Sequence, residues 1–245
     1  MILALETATT ACSAAVCDGG GHVVAERVSL EGPAHSQLLL PFVRDVLEEA
    51  GCDWPDIDVV AVGLGPGAFT GLRIGIATAR ALAQADGRVV LAGVPTTSAL
   101  AVALSEHHTA VQSVGAQLAA VDDPALVPLI DGKRREVFAA VYRREAAGPA
   151  GVLLREDVAV VRADDLAAWL DARGPAIVGG DGARLYADRL PSSASPAPGL
   201  VAPTASMVGR AVALGAPGVV TGPHIVLPLY GRSPDAAPRP AGGIG

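Results

Sequence analysis

Val59-Val60-Ala61-Val62-Gly63-Leu64-Gly65-Pro66-Gly67-Ala68-Phe69-Thr70-Gly71-Leu72-Arg73-Ile74-Gly75 is the stretch on which the fold turns. Residues 59–64 form a short continuous apolar run, as expected of a strand buried on both faces. A glycine turn follows, and Thr70 is placed to cap a helix over 70–85. Helix N-termini attract anions, so a phosphate site is one reading, and a tight turn using glycine's freedom at positive φ is the other. It is not a Walker loop, because the glycine spacing differs and no Lys-Ser/Thr follows. Within the helix, Gly71, Gly75, Ala79 and Ala83 recur every four residues. Such a stripe admits close approach, either by the protein's own sheet or by another helix.

Upstream, Ile2-Leu3-Ala4-Leu5 reads as a buried strand, and 12–17 and 23–28 as a hairpin about Gly19-Gly20-Gly21. A helix is expected from Ser36 to Gly51, with Leu38, Leu39, Phe42, Val43, Val46 and Leu47 on one stripe and Pro41 inside it. Downstream, 89–94 is another strand. The order β-β-β-α-β-α-β predicts an α/β fold with a mixed sheet covered by helices. Residues 129–141 can be laid over 4–16, with Asp131 on Glu6 and Ala-Ala-Val closing both. That overlay suggests a duplicated lobe. Strands are expected at 158–161, 176–178 and 225–229, helices after Asp164 and Thr204, and a loose tail from Gly231.

The 245 residues are 51% hydrophobic and 18% charged, with a net charge of −7, which excludes a disordered chain. No apolar run approaches the roughly 20 residues needed to span a bilayer. The first residues have no basic region, so no signal peptide is expected. Cys12, Cys17 and Cys52 fit core positions better than a disulfide or metal framework, and a cytoplasmic protein is expected. With Lys133 its single lysine, the chain lacks the basic footprint of a nucleic-acid binder acting alone.

Glu6 ends the first strand, where an acid either holds magnesium or is simply solvated; Asp131 carries the same alternatives. Gly179-Gly180 after a strand either lets backbone approach an adenosine or makes an ordinary turn. His22, His35, His107, His108 and His224 contain no pair at the spacing that brings two imidazoles onto one helix face, and neither H-E-x-x-H nor G-x-S-x-G occurs.

Taken together, several motifs resemble the bacterial TsaB family. They are residues 2–9, Ser13-Ala14-Ala15-Val16, His35-Ser36 with Leu39 and Leu40-Pro41, and Gly65–Gly75. Val94-Pro95-Thr96-Thr97-Ser98, Ile130-Asp131, Arg135-Glu136-Val137-Phe138 and Pro228-Leu229-Tyr230 continue the match, which covers about residues 1–230. The resemblance implies the two-lobed actin-like ATPase fold, each lobe an RNase H-like mixed sheet. The N-terminal lobe would span 1–100, completed by a helix near 204–214. A smaller C-terminal lobe would span 101–203, and 231–245 would be a flexible tail.

The resemblance also implies a non-catalytic subunit that binds and supports TsaD, the enzyme forming N6-threonylcarbamoyladenosine next to the tRNA anticodon. TsaE and tRNA would be reached only through that complex. ATP and metal would be held by partner subunits, with no cofactor of the chain's own. Homodimer and monomer remain open for the isolated chain. The family's helical bundle places partner contacts at His35, Leu39, Val43, Leu72, Ile74, Gly75, Thr78 and Ala79. Glu6, Thr7, Asp131, Gly179 and Gly180 would be a vestigial nucleotide or metal set.

TsaD carries a histidine-x-x-x-histidine metal motif where this chain reads Pro95-Thr96-Thr97-Ser98-Ala99-Leu100. Three departures stand out: Glu6 for the commoner aspartate, Ala8 where active ATPases keep glycine, and Gly231 where a larger residue is usual. The competing readings are an independent ATP-dependent phosphotransferase of the same fold, which needs a working acid at Glu6, and a metallopeptidase-like hydrolase, which needs the missing histidines.

Overall fold

The computed structural model describes residues 1–32, 34–113, 123–145, 148 and 150–231. Two mixed sheets form the frame. The first runs β11(Val220–Thr221), β5(Val90–Val94), β4(Val59–Gly63), β1(Ile2–Glu6), β2(Cys12–Cys17), β3(Val23–Ser29). The second runs β10(Ala194–Pro196), β9(Ala176–Gly179), β6(Ala125–Asp131), β7(Glu136–Arg144), β8(Val152–Arg162).

The sheets repeat one topology. β1 pairs antiparallel with β2 and parallel with β4, and β6 does the same with β7 and β9. Five strands of the first sheet, β5-β4-β1-β2-β3, match β10-β9-β6-β7-β8 in order and direction, with β11 an addition at the edge; a duplicated lobe accounts for that match, and the short 4–16 and 129–141 overlay falls within it.

Helix placement follows from which face of each strand is apolar. α1(His35–Ala50) and α2(Phe69–Ala85) cover one face of the first sheet. Their buried stripes, Leu39, Val43 and Val46 on α1 and Ile76, Ala79 and Ala83 on α2, meet Leu3, Leu5, Val16, Val60 and Val62 in one core. α6(Ala205–Ala213) covers the opposite face, against β1 and β2, while α3(Thr96–Ser113) packs on β6 and on α6. One core therefore runs between the sheets, from Ala4 and Cys17 through Val102 and Leu104 to Leu126, Tyr142 and Ile177. α4(Leu166–Asp171) and α5(Asp181–Leu185) lie on the far face of the second sheet.

Several local expectations are corrected. α2 begins at Phe69, with Ala68 as its flanking residue, and Thr70 makes no side-chain cap. β8 is far longer than 158–161, because its pairing with β7 extends down to Val152. Residues 225–229 form no strand. They cross α2 and the loop after β4, held by a backbone bond from Leu229 to Leu64, away from any sheet edge. The helix α3 had no expected counterpart; its buried polar face, Thr96, Thr97, Ser98, Ser105 and His108, blurs the apolar stripe that signals a helix. The expected tail lies outside the described residues beyond Gly231. Among the described residues, no helix is long and apolar enough to cross a membrane.

Candidate functional site

The glycines of the opening stretch are explained by what they touch. A methyl group at Gly63 would sit 2.1 Å from a Glu6 carboxylate oxygen, at Gly67 2.0 Å from the Ala8 carbonyl, at Gly71 2.1 Å from the Thr7 carbonyl, and at Gly75 2.2 Å from Thr7 Oγ1. Four glycines spaced four apart thus hold the end of β1 and the turn to β2. Thr7 Oγ1 completes the contact by donating to the Gly71 carbonyl at 2.9 Å. The small-residue stripe consequently faces the protein's own turn and sheet; it is not free for a foreign helix.

Glu6 sits at the centre of this junction with no solvent exposure. It accepts from Ala8 N at 2.6 Å and from Thr96 Oγ1 at 3.0 Å, while Thr96 Oγ1 in turn accepts from Gly65 N. Burial is the main influence on its carboxyl group and pushes its pKa from the usual 4.5 to about 7; the hydrogen bonds pull the other way and the nearby Asp181 charge adds a little.

Beside the junction opens an interlobe cleft of about 420 Å³. Ala8, Ala68, Phe69, Phe138 and Tyr230 form its apolar walls, and Asp131, Lys133 and Asp181 its polar end. Lys133 Nζ is 2.6 Å from Asp131 Oδ2, and Asp131 N donates to Asp181 Oδ1. Burial raises the pKa of Asp181 above the usual carboxylate range. The turn that carries Lys133 is strained: Lys133, Arg134 and Arg135 all have positive φ, at 60°, 53° and 60°. Each such residue costs about 1–2 kcal/mol in an L-chain.

The expected nucleotide or metal set does not fit such a ligand. Glu6 and Thr7 are sealed and hydrogen-bonded internally. Of the five residues, Asp131 is the one that lines the cleft, and Lys133 already pairs with it. Gly179 is packed against Leu104 and Leu200, and Gly180, at φ 107°, against the Leu129 carbonyl. Those glycines serve close backbone and side-chain packing, with Leu104 and Leu200 against Gly179 and the Leu129 carbonyl against Gly180. Asp181, Phe69 and Tyr230 were not foreseen as cleft residues. The signal for Asp181 was present, since it directly follows Gly179-Gly180, whereas Tyr230 is 157 residues from its partner Arg73 and left none.

The eight expected partner-contact residues are also redistributed. His35, Leu39, Val43, Leu72, Gly75 and Ala79 are buried in the chain's own fold, so none presents a side chain to a partner. His35 Nε2 faces two carbonyls, Thr9 O at 3.0 Å and Ala11 O at 3.1 Å, and must therefore carry the proton it donates. Ile74 and Thr78 remain half-exposed on α2. The outer surface of the helix pair instead offers Leu40, 57% exposed, with Phe69, Arg73 and Ala77. The apolar residues Ile225 and Leu227, in the segment that crosses α2, are also exposed.

A family model described as TsaD, tRNA N6-adenosine threonylcarbamoyltransferase, matches residues 23–183. The tRNA threonylcarbamoyladenosine biosynthesis protein TsaB of Escherichia coli is 35% identical over 147 residues, covering 60% of this chain and 57% of that protein. Its namesake from Haemophilus influenzae is 30% identical over 142 residues, covering 58% of this chain and 59% of that protein. The match therefore spans less than two-thirds of the length of these curated relatives. Among solved structures, YeaZ from Pseudomonas aeruginosa is 30% identical with a TM-score of 0.68, covering 94% of this chain and 98% of that one.

Proposed function

The chain belongs to the TsaB family, and from that premise we propose that it is a non-catalytic subunit supporting a TsaD-type threonylcarbamoyltransferase in tRNA N6-threonylcarbamoyladenosine formation. The observation that carries the reading is the fate of the residues where TsaD keeps its histidines. Thr96 is bound to Glu6 and to Gly65 N, and Thr97 and Ser98 both meet the Tyr142 hydroxyl, at 3.1 and 2.9 Å. Hydroxyls committed to internal bonds have replaced metal ligands, and Glu6 is sealed where a phosphotransferase needs an open acid. ATP and metal then belong to partner subunits, and TsaE and tRNA are reached through the complex with TsaD.

In this reading the TsaD-type protein docks on the outer face of α1 and α2, at Leu40, Ile74, Ala77 and Thr78. Without that partner, the same face is available to a second copy of the chain. The test is a dropout reconstitution in which tRNA, threonine, bicarbonate, ATP and magnesium are mixed with the TsaC, TsaD and TsaE counterparts from the same organism. Threonylcarbamoyladenosine is expected only in the tube that also contains this chain. The double substitution Leu40→Glu and Ile74→Glu places two charges on the docking face, at an expected cost of about 2–4 kcal/mol in binding. Product should fall at least tenfold, with the circular dichroism spectrum unchanged. Equal product with and without the chain would sink the proposal.

A further inference from the structure

We propose that Tyr230 and Gly231 form a latch that couples the outer face of α2 to the opening of the interlobe cleft. After β11 the chain returns over α2. Val226 is fully buried in the core beneath α1 and α2, and its carbonyl accepts from Arg80 Nη2. Leu229 N donates to Leu64 O at 2.7 Å, and its carbonyl fills the place where a methyl at Gly65 would lie, 2.9 Å away. Those contacts anchor the segment to the first lobe.

Of its last two residues, Tyr230 holds to α2 and Gly231 reaches the second lobe. The Tyr230 ring stacks on Phe69 with centroids 5.2 Å apart, and its hydroxyl accepts from Arg73 Nε at 3.2 Å. The Arg73 guanidinium lies over the other ring of the pair, 3.8 Å from the Phe69 centroid. Gly231 then rests on Phe138 of β7, so closely that a methyl there would lie 2.3 Å from the ring. This contact accounts for glycine at a position where the TsaB resemblance leads one to expect a larger residue.

Phe138 pairs with Ile130 across the β6–β7 hairpin, whose turn is the strained left-handed run at Lys133, Arg134 and Arg135. A strained turn holds its shape only while its neighbours hold it. Arg73 and Phe69, which secure Tyr230, are exposed on α2. A protein that moves Arg73 therefore releases Tyr230, then Gly231, then Phe138 and the hairpin that walls the cleft. The docking face described above enters only as the source of that movement.

Hydrogen exchange on the isolated full-length chain tests the latch without any partner. The amides of Lys133 and Glu136, protected by Asp131 Oδ1 and by the Lys133 carbonyl, report on the hairpin. Tyr230→Ala and Arg73→Ala are each expected to speed exchange across residues 131–138 about tenfold, leaving α4 unchanged. Tyr230→Phe keeps the stack and removes the acceptor, and should give a smaller change in the same peptide; with Arg73→Ala it carries the test if Tyr230→Ala does not fold. Unchanged exchange at 131–138 overturns the latch, as does equal acceleration in α4, which reports general loosening. Either result leaves the partner reading untouched, and a failed reconstitution leaves the latch standing.

Discussion

Gly71→Ala is expected to destabilise the protein by about 3 kcal/mol, near the upper end of ordinary overpacking costs. The sign is the informative part. In a typical helix interior, replacing glycine by alanine gains about 1 kcal/mol through lower backbone entropy and better propensity. Gly71 lies inside α2, but the added methyl would sit 2.1 Å from the Thr7 carbonyl oxygen. That oxygen belongs to the backbone at the buried end of a central strand, so it cannot rotate aside as a side chain would. Relief requires lifting α2 from the sheet, which also strains the bond from Thr7 Oγ1 to the Gly71 carbonyl. The melting temperature should drop by about 10 °C for a chain of this size. Gly87→Ala serves as the control, since nothing lies within 4 Å of its added methyl. Urea titrations of the three proteins check the expectation, and a Gly71→Ala variant as stable as wild type would show that the turn yields.

The second large effect is a pH dependence from Glu6. Its folded pKa of about 7 lies above the usual 4.5. The folded state therefore prefers the protonated acid. The stability this contributes is fully present below about pH 4.5, is lost as the pH rises through 7, and stays lost above that. A rise of this size corresponds to about 3 kcal/mol. Glu6→Gln removes the titration while keeping an amide oxygen for Ala8 N and an amide group that can donate to Thr96 Oγ1. The difference in unfolding free energy between wild type and variant should change by about that amount between pH 4.5 and 8, with the variant gaining relative to wild type as the pH rises. His108 has the opposite tendency, since burial lowers its pKa and stability is lost as the pH falls, but it is common to both proteins and cancels in the difference. A difference that stays flat across this range would mean that hydrogen bonds to the carboxylate outweigh its burial.

Much of the fold was legible in local residues. The apolar runs that became β1, β4 and β5 are continuous because those strands are covered on both faces, and continuity is visible without knowing what covers them. The α1 stripe was equally plain, ending at Gly51, whose φ of 62° makes the left-handed cap. The repeat was weak in letters yet correct in topology, because strand order depends on the pattern of strands and turns rather than on side-chain identity. Residue type also supplied the missing histidines, a fact no folding can alter.

The sequence by itself therefore determined the mixed α/β sheets, their duplication, the family and the lack of two histidines at the spacing that brings them onto one helix face. Only the tertiary structure decided which side of each helix is spoken for. Spacing says that Gly71, Gly75 and Ala79 share a face, and it is silent on whether that face meets the chain's own turn or another protein. The answer depends on where Thr7 and Ala8 arrive, and they belong to the turn after β1, some 60 residues earlier in the chain. The same holds for the cleft. Phe69, Phe138 and Tyr230 come from three distant segments, and no period or motif relates them. Contacts of that kind are set by packing two lobes around a common core, so they exist only once the chain has folded.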